Sequence, residues 1–397
     1  RLVHYEDTST QMVALNIVYD VGARDEHPEH TGFAHLFEHL MFGGSAHIPD
    51  YDTPLQLAGG ENNAWTNNDI TNYYLTVPKP NVETAFWLES DRMLELAFSE
   101  QSLEVQRGVV MEEFKQRCLN QPYGDVGHLF RPLAFRVHPY RWPTIGKELS
   151  HIEQATLDEV KSFFYRFYAP NNAVLAVTGN ISWDETVKLT EKWFAPIPRR
   201  DVPVRQLPQE PEQTQERRLT VERNVPLDAL FMGYHMCSRE GADYYAFDIL
   251  SDILSNGRSS RLNRRLVQEQ NIFSGIDAYI SGTRDAGLLQ ISGKPAAGVS
   301  LEQAEAAVRR ELEELRQSPV GEQELEKVKN KFESTQIFGN INYLNVATNL
   351  AWFELTGKAE DIDLEVERYR SVTTEQLHTV AQRTFCENNT VVLYYKS

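Results

Sequence analysis

The chain repeats its own plan. "ALNIVYDVGARD", starting at Ala14, returns 215 residues later as "ALFMGYHMCSRE", starting at Ala229. Each copy alternates like a strand, runs into a turn and ends in an Arg-acid pair, Arg24-Asp25 and Arg239-Glu240. The pattern recurs near the end of each half. "YAPNNAVLAVTG" from Tyr168 matches "FCENNTVVLYYK" from Phe385, 217 residues on. Both read as a helix end, an Asn-Asn turn and a β-rich strand. The stretches before them, "TLDEVKSFFYRF" and "TTEQLHTVAQRT", have helical period with a Thr and an acid at the start. Two copies at nearly constant separation call for two similar domains. Close to the midpoint, Arg199–Arg218 ("RRDVPVRQLPQEPEQTQERR") carries Pro, Gln and charge without apolar period, and reads as an extended linker.

Each half mixes strands and helices. "ITNYYLTVPK" (70–79) is a strand before the helical "NVETAFWLESDRMLELAF". "AGLLQISGKPA" (286–296) is a strand before "SLEQAEAAVRRELEELRQS". The expected fold is α+β: two homologous α/β sandwich domains, each a mixed or antiparallel sheet with helices on one face. The expected division is 1–198, a linker 199–218, and 219–397.

Charge excludes one class of function. With 39 basic and 57 acidic residues the formal net charge is −18, so the bulk field repels phosphate and no nucleic-acid partner is expected. Cys118, Cys237 and Cys386 are far apart with no CxxC pair, which argues against a disulfide framework or a cysteine zinc site. No run approaches the roughly 18 apolar residues of a membrane-spanning helix.

The chemistry gathers in "GFAHLFEHLMFGG" (32–44). His35 and His39 are at i and i+4, one turn apart on one helix face, so both imidazoles can reach one metal ion. Glu38 lies beside them, free to take a proton from a water held by the metal. This is the inverted, H-x-x-E-H form of a zinc-peptidase motif. A histidine on an apolar face is also a common core residue, so five residues do not decide the matter. Two further features favour the metal. The first is a third ligand, which a catalytic zinc needs. In the helical "SEQSLEVQRGVVMEEFKQRCL" (99–119), Leu103, Val110 and Phe114 define a buried stripe. Glu112 points away from it, whereas Glu113 sits on its shoulder, where a carboxylate needs a partner. Glu113 is the expected ligand and Glu112 a solvated charge. The second is the internal control. At an offset of 215, His35, Glu38 and His39 fall on Leu250, Ile253 and Leu254. Polar groups in one copy only point to a site rather than a packing need.

With these residues in view the chain resembles the pitrilysin-type metallopeptidases, the family of insulin-degrading enzyme and the mitochondrial processing peptidase. It is most similar to short bacterial members of two domains. The marks are "HLFEH" (35–39), "GGENNAWTNNDITNYY" (59–74), "RGVVMEE" (107–113), "HPYRWPTIG" (138–146) and "YAPNNAVLAVTG" (168–179). The resemblance implies one Zn2+ per chain on His35, His39 and Glu113, with Glu38 as general base. Family members commonly carry an acid two turns before the third ligand. Here Gln106 stands there, an outer partner without charge. The family's edge strand, which takes up substrate peptide as an added β-strand, corresponds to Asn63, Ala64, Trp65 and Thr66. Tyr73 and Tyr74 read as sheet packing.

The family's second half often holds substrate with an Arg and a Tyr seven residues apart. Arg265 plus seven is Ile272, followed by Phe273, so the pair is absent at that spacing. Arg261, Arg264, Arg265 and Tyr279 are substitutes or plain surface and strand residues. Four such domains enclose a chamber in this family and this chain has two. The resemblance therefore implies a homodimer, or a heterodimer with a related subunit. The expected activity is zinc-dependent endopeptidase cleavage of peptides or unfolded segments inside a closed chamber. The alternative is a non-catalytic or partner-dependent subunit, against which the complete set of ligands and base argues. The sequence starts at Arg1 rather than Met and similar bacterial members are often exported, so the expected location is the periplasm, with the cytoplasm as the alternative.

Overall fold

A computed structural model describes residues 1–397. Its ten strands are β1 (Leu2–Glu6), β2 (Met12–Tyr19), β3 (Glu61–Thr66), β4 (Thr71–Pro78), β5 (Ala173–Gly179), β6 (Arg217–Glu222), β7 (Ala229–His235), β8 (Phe273–Ile280), β9 (Leu288–Pro295) and β10 (Thr390–Lys396). They form two five-stranded sheets of the same topology, β1-β5-β2-β4-β3 and β6-β10-β7-β9-β8. In each sheet the first pair is parallel and the remainder antiparallel, so both are mixed, as the repeat requires. The fold is α+β.

Central strand β2 shows how the sequence builds the first sheet. From Val13 to Tyr19 every residue is buried, because both faces of the strand are covered. Leu15, Ile17 and Tyr19 join a core with the helices Phe33–Leu40, Val82–Leu94 and Leu157–Phe167. Ala14 and Val18 point the other way, with Ile70, Val174 and Ala176. Asn16 is the polar exception, and its amide is satisfied by Asn72 at 2.8 Å and by the Thr348 hydroxyl at 3.2 Å.

That other face is covered by the helix Tyr343–Thr356, through Val346, Ala347, Leu350, Ala351 and Leu355. This helix belongs to the second half of the sequence. The second sheet has the reciprocal arrangement. The helix Val126–Ala134, from the first half, lays Phe130 and Ala134 on β6, β7 and β10, against Ala229, Val391, Leu393 and Tyr395. A Cβ at residue 233 would lie 2.8 Å from the Phe130 ring, so Gly233 makes room for it. Each sheet thus carries its half's helices on one face and a helix from the other half on the opposite face.

The compact units therefore depart from the expected boundaries. One comprises Arg1–Leu119, Trp142–Pro208 and Ile337–Leu364, the other Asn120–Arg141, Gln209–Gln336 and Glu365–Ser397. The reason is coverage: a sheet that is apolar on both faces needs two layers, and each half supplies only one of its own. The linker has no regular structure before β6 and is tied down by its charges. Arg200 donates to the carbonyls of Tyr168 and Leu94, at 2.6 and 2.7 Å. Arg205 pairs with Asp25 and Asp20, at 2.5 and 2.9 Å. The Glu210 carboxylate accepts the backbone N–H groups of Arg136, Val137 and His138. No helix is long and apolar enough to cross a membrane.

Each large aliphatic side chain on the exchanged helix is worth about 1.5–3 kcal/mol on burial. Val346, Leu350 and Leu355 together rival the whole stability of a domain, about 5–15 kcal/mol. Residues 1–208 expressed alone should therefore show no cooperative urea transition by circular dichroism, and a peptide spanning 337–364 should restore one. A sharp transition without the peptide would contradict the exchange.

Candidate metal centre

The helix Phe33–Leu40 carries the motif. Phe33, Ala34, Leu36, Phe37 and Leu40 are buried on its core side. Phe37 stacks on Phe163 and Tyr168, with ring centroids 5.2 and 5.1 Å apart, and its carbonyl accepts the Tyr73 hydroxyl at 3.3 Å. The helix begins at Gly32, whose φ of +89° is left-handed and whose missing Cβ would come within 2.7 Å of Ile152. These contacts fix one side of the helix and leave His35, Glu38 and His39 on its more open side, the last two half-buried.

The helix Glu100–Phe114 supplies the acid. Ser99 caps it, accepting the Ser102 N–H at 3.0 Å, and Leu103, Val110 and Phe114 form its buried stripe as expected. Glu112 is exposed and paired with Lys115 at 2.5 Å. Glu113 is half-buried and turns to the imidazoles.

Three ligand atoms converge. His35 Nε2 lies 3.3 Å from His39 Nε2, and Glu113 Oε2 lies 3.5 Å from the first and 3.2 Å from the second. A tetrahedral zinc with bonds of about 2.0–2.1 Å spaces its ligands about 3.3 Å apart, so the triangle fits that ion. His35 Nδ1 is buried without a hydrogen-bond partner. The converging atoms are its Nε2, the Nε2 of His39 and Oε2 of Glu113, a donor set of two imidazoles and one carboxylate that suits a zinc ion.

The electrostatics agree. Burial pushes the His35 imidazole down to about 4, against the pull of Glu113, so near neutral pH it is the uncharged form that can ligate. Glu113 is held below the usual carboxylate range, chiefly by its hydrogen bond to His39 and against burial. Its other oxygen, Oε1, is held by Arg117 at 2.9 Å. Arg117 stands in the π-helical turn Lys115–Leu119 that follows the helix. Burial raises Glu38, opposed by the Thr66 hydroxyl and His39 and reinforced by the charge of Glu113.

Beside the helix runs β3, which pairs with β4 alone and leaves its other edge open. Its burial alternates. Asn63 and Trp65 are exposed, the latter by 36%, while Ala64 and Thr66 are half-buried. Gln106 lies two turns before Glu113, with its side chain against Gly43 just past the motif helix. Tyr73 is fully buried in the sheet, opposite Ala64.

In the second half, Leu250, Ile253 and Leu254 are fully buried on the helix Tyr244–Ser255, so the positions that hold polar groups in the first copy are core in the second. The arginines there are engaged in ion pairs: Arg261 with Glu324 at 2.7 Å, Arg265 with Glu311 and Glu314 at 2.7 and 2.5 Å, and Arg264 with Glu269 at 3.7 Å. Tyr279 is exposed on the edge strand β8. Arg117 escaped the sequence reading, although its spacing of four from Glu113 is the usual signal for a helical ion pair.

Comparison with known proteins finds relatives of this chain. A model described as Insulinase (Peptidase family M16) matches residues 1–125, and one described as Peptidase M16 inactive domain matches 154–332. The chain is 28% identical to the zinc protease PqqE of Helicobacter pylori over 328 residues, covering 81% of this chain and 74% of that protein. A crystal structure of a protease from Helicobacter pylori superposes with a TM-score of 0.93 at 25% identity, covering 100% of this chain and 97% of the other. The periplasmic protease PqqL from Escherichia coli shares the fold, with a TM-score of 0.81 at 18% identity. It matches 99% of this chain but only 46% of its own length.

Metal analysis of the purified chain should find about one zinc, removable by chelators. His39→Ala and Glu113→Gln should each weaken zinc binding more than tenfold, and Arg117→Ala by about tenfold through a freed Glu113. Unchanged zinc affinity in Glu113→Gln would remove Glu113 from the ligand set.

Proposed function

From the premise that this chain belongs to the M16, insulinase-type family of peptidases, we propose that it is a zinc-dependent endopeptidase acting on peptides or unfolded polypeptide segments. The observation that carries this reading is the triangle of His35, His39 and Glu113, with Glu38 on the same helix and an open strand edge beside it. His35, His39 and Glu113 would hold the zinc ion, which would supply Lewis acidity and make water more acidic, from a pKa of about 15.7 toward 7.

The chain's own residues do the rest. Glu38 accepts the proton of the attacking water and returns it to the leaving amine. Burial raises its proton affinity toward the working pH, which suits a group that must both take and give. Thr66 and His39 favour its charged form and so keep it competent as a base. Arg117 holds the far oxygen of Glu113, leaving the near one for the metal. Substrate lies along β3 as an added strand at Asn63, Ala64, Trp65 and Thr66. Backbone hydrogen bonds of this kind tolerate many side chains, so broad peptide specificity follows. Gln106 gives the centre an uncharged outer neighbour in place of an acid.

Two sandwiches form half of a four-domain chamber, and the chain matches under half the length of PqqL. On this reading it works as a homodimer, or with a related subunit carrying the Arg–Tyr element; the proposed location is the periplasm, with the cytoplasm as the alternative. A second reading, a non-catalytic or partner-dependent subunit, draws on the family model described as an inactive domain. That match spans 154–332 and leaves out residues 35–113.

Glu38→Gln should keep its zinc and lose cleavage of an unstructured fluorogenic peptide by about 10²–10⁴-fold. Full activity in this variant would overturn the role of Glu38. A zinc-loaded wild-type chain that cleaves only after addition of a related chain would establish the partner-dependent reading.

A further inference from the structure

The segment between β2 and the motif helix carries three consecutive charged residues with enclosed side chains: Arg24 and Glu26 are buried, and the Asp25 side chain between them is 2% exposed. Arg24 pairs with Asp69 at 3.3 Å, and Asp25 pairs with Arg205. Glu26 differs. Only 6% exposed, it spends its carboxylate on backbone: Oε2 accepts the Gly32 N–H and Oε1 the Ala34 N–H, both at 2.9 Å.

Those two N–H groups belong to the start of the helix Phe33–Leu40. The first N–H groups of a helix have no partner within it, and a side-chain oxygen at the N-cap usually serves them. Here the N-cap is Gly32, which has none. Glu26 is a cap supplied from six residues upstream; burial pushes its carboxyl up to about 8, against the two backbone N–H bonds that favour the ionised form. The loop that presents it is pinned. The Gly22 N–H donates to Asp25 Oδ2 at 3.0 Å, and the Trp142 indole N–H donates to the Ala23 carbonyl at 2.9 Å.

His35 is the third residue of this helix, inside the turn that Glu26 holds. Helix ends fray, and the packing of Phe33, Ala34 and Leu36 holds the core side of this eight-residue helix without serving the free N–H groups of its first turn. Yet His35 Nε2 must stay within 3.3 and 3.5 Å of two other ligand atoms. We propose that Glu26 is a positioning residue for the metal centre: by holding the amides of Gly32 and Ala34 it fixes the first turn of the motif helix, and with it the place of His35. The metal part of this inference rests on the zinc reading above.

The test uses the full chain with Glu26→Gln, which keeps one acceptor oxygen and loses the other. The control is Glu210→Gln. Glu210 also accepts backbone N–H groups, from Arg136, Val137 and His138 in the other unit. Zinc affinity is read by chelator competition, and exchange of the amides of residues 32–36 by hydrogen–deuterium exchange. Glu26→Gln should bind zinc about tenfold or more weakly and exchange those amides faster, with kcat falling and KM unchanged. Glu210→Gln should keep wild-type zinc affinity and exchange at 32–36 even if it melts earlier. A folded Glu26→Gln variant with wild-type affinity and exchange would overturn the proposal. If the wild-type chain binds no zinc, the functional reading fails separately, and amide exchange alone decides whether Glu26 holds the turn.

Discussion

Each sheet of this protein is apolar on both faces, and each half of the sequence carries helices for only one. Everything else follows from that shortage. Ala14, Val18, Val174 and Ala176 find their cover in Tyr343–Thr356, and Val391, Leu393 and Ala229 find theirs in Val126–Ala134. The two covering helices stand at nearly corresponding places in the two copies, so the exchange is reciprocal. A duplicated chain that solves its burial problem this way cannot be cut at the midpoint, although its linker looks like a place to cut.

The same burial shapes the candidate metal centre. The motif helix is held through its apolar side, by Phe37 among Phe163 and Tyr168, by the Tyr73 hydroxyl, and by Glu26 at its start. Because its position is decided there, the opposite side is free to carry groups that contribute nothing to packing. Removing His35 from water has a cost, visible as an imidazole pushed down to about 4. That cost also keeps it uncharged and ready to ligate.

Much of this was legible in the sequence because the signals are local. Alternation marks β2 and β10, the Thr-x-x-Glu start marks the helix Leu157–Phe167, and i,i+4 spacing puts two histidines on one face. The choice of Glu113 over Glu112 is also local, since it follows from where the apolar residues Leu103, Val110 and Phe114 fall around one helix. What was not legible is what joins distant segments. Nothing near Phe130 or Leu350 says which sheet each will cover. A strand with both faces buried reads as a plain apolar run and does not announce whose helix will lie on it. Glu26 looks like one more charge in "ARDEHPEH", and its meaning depends on a turn that brings Gly32 back to it.

The two copies show what the site costs and what it gains. Leu250, Ile253 and Leu254 occupy the ancestral helix positions as core, with no polar atoms to satisfy. The first copy places His35, Glu38 and His39 there instead, giving up apolar contacts and leaving His35 Nδ1 without a partner. Such a loss is tolerable only where something else binds the polar groups together. In this half that something is a ligand triangle of zinc dimensions, backed by Arg117 on the Glu113 side and by the Glu26 cap on the His35 side. The second copy has neither the triangle nor a need for it.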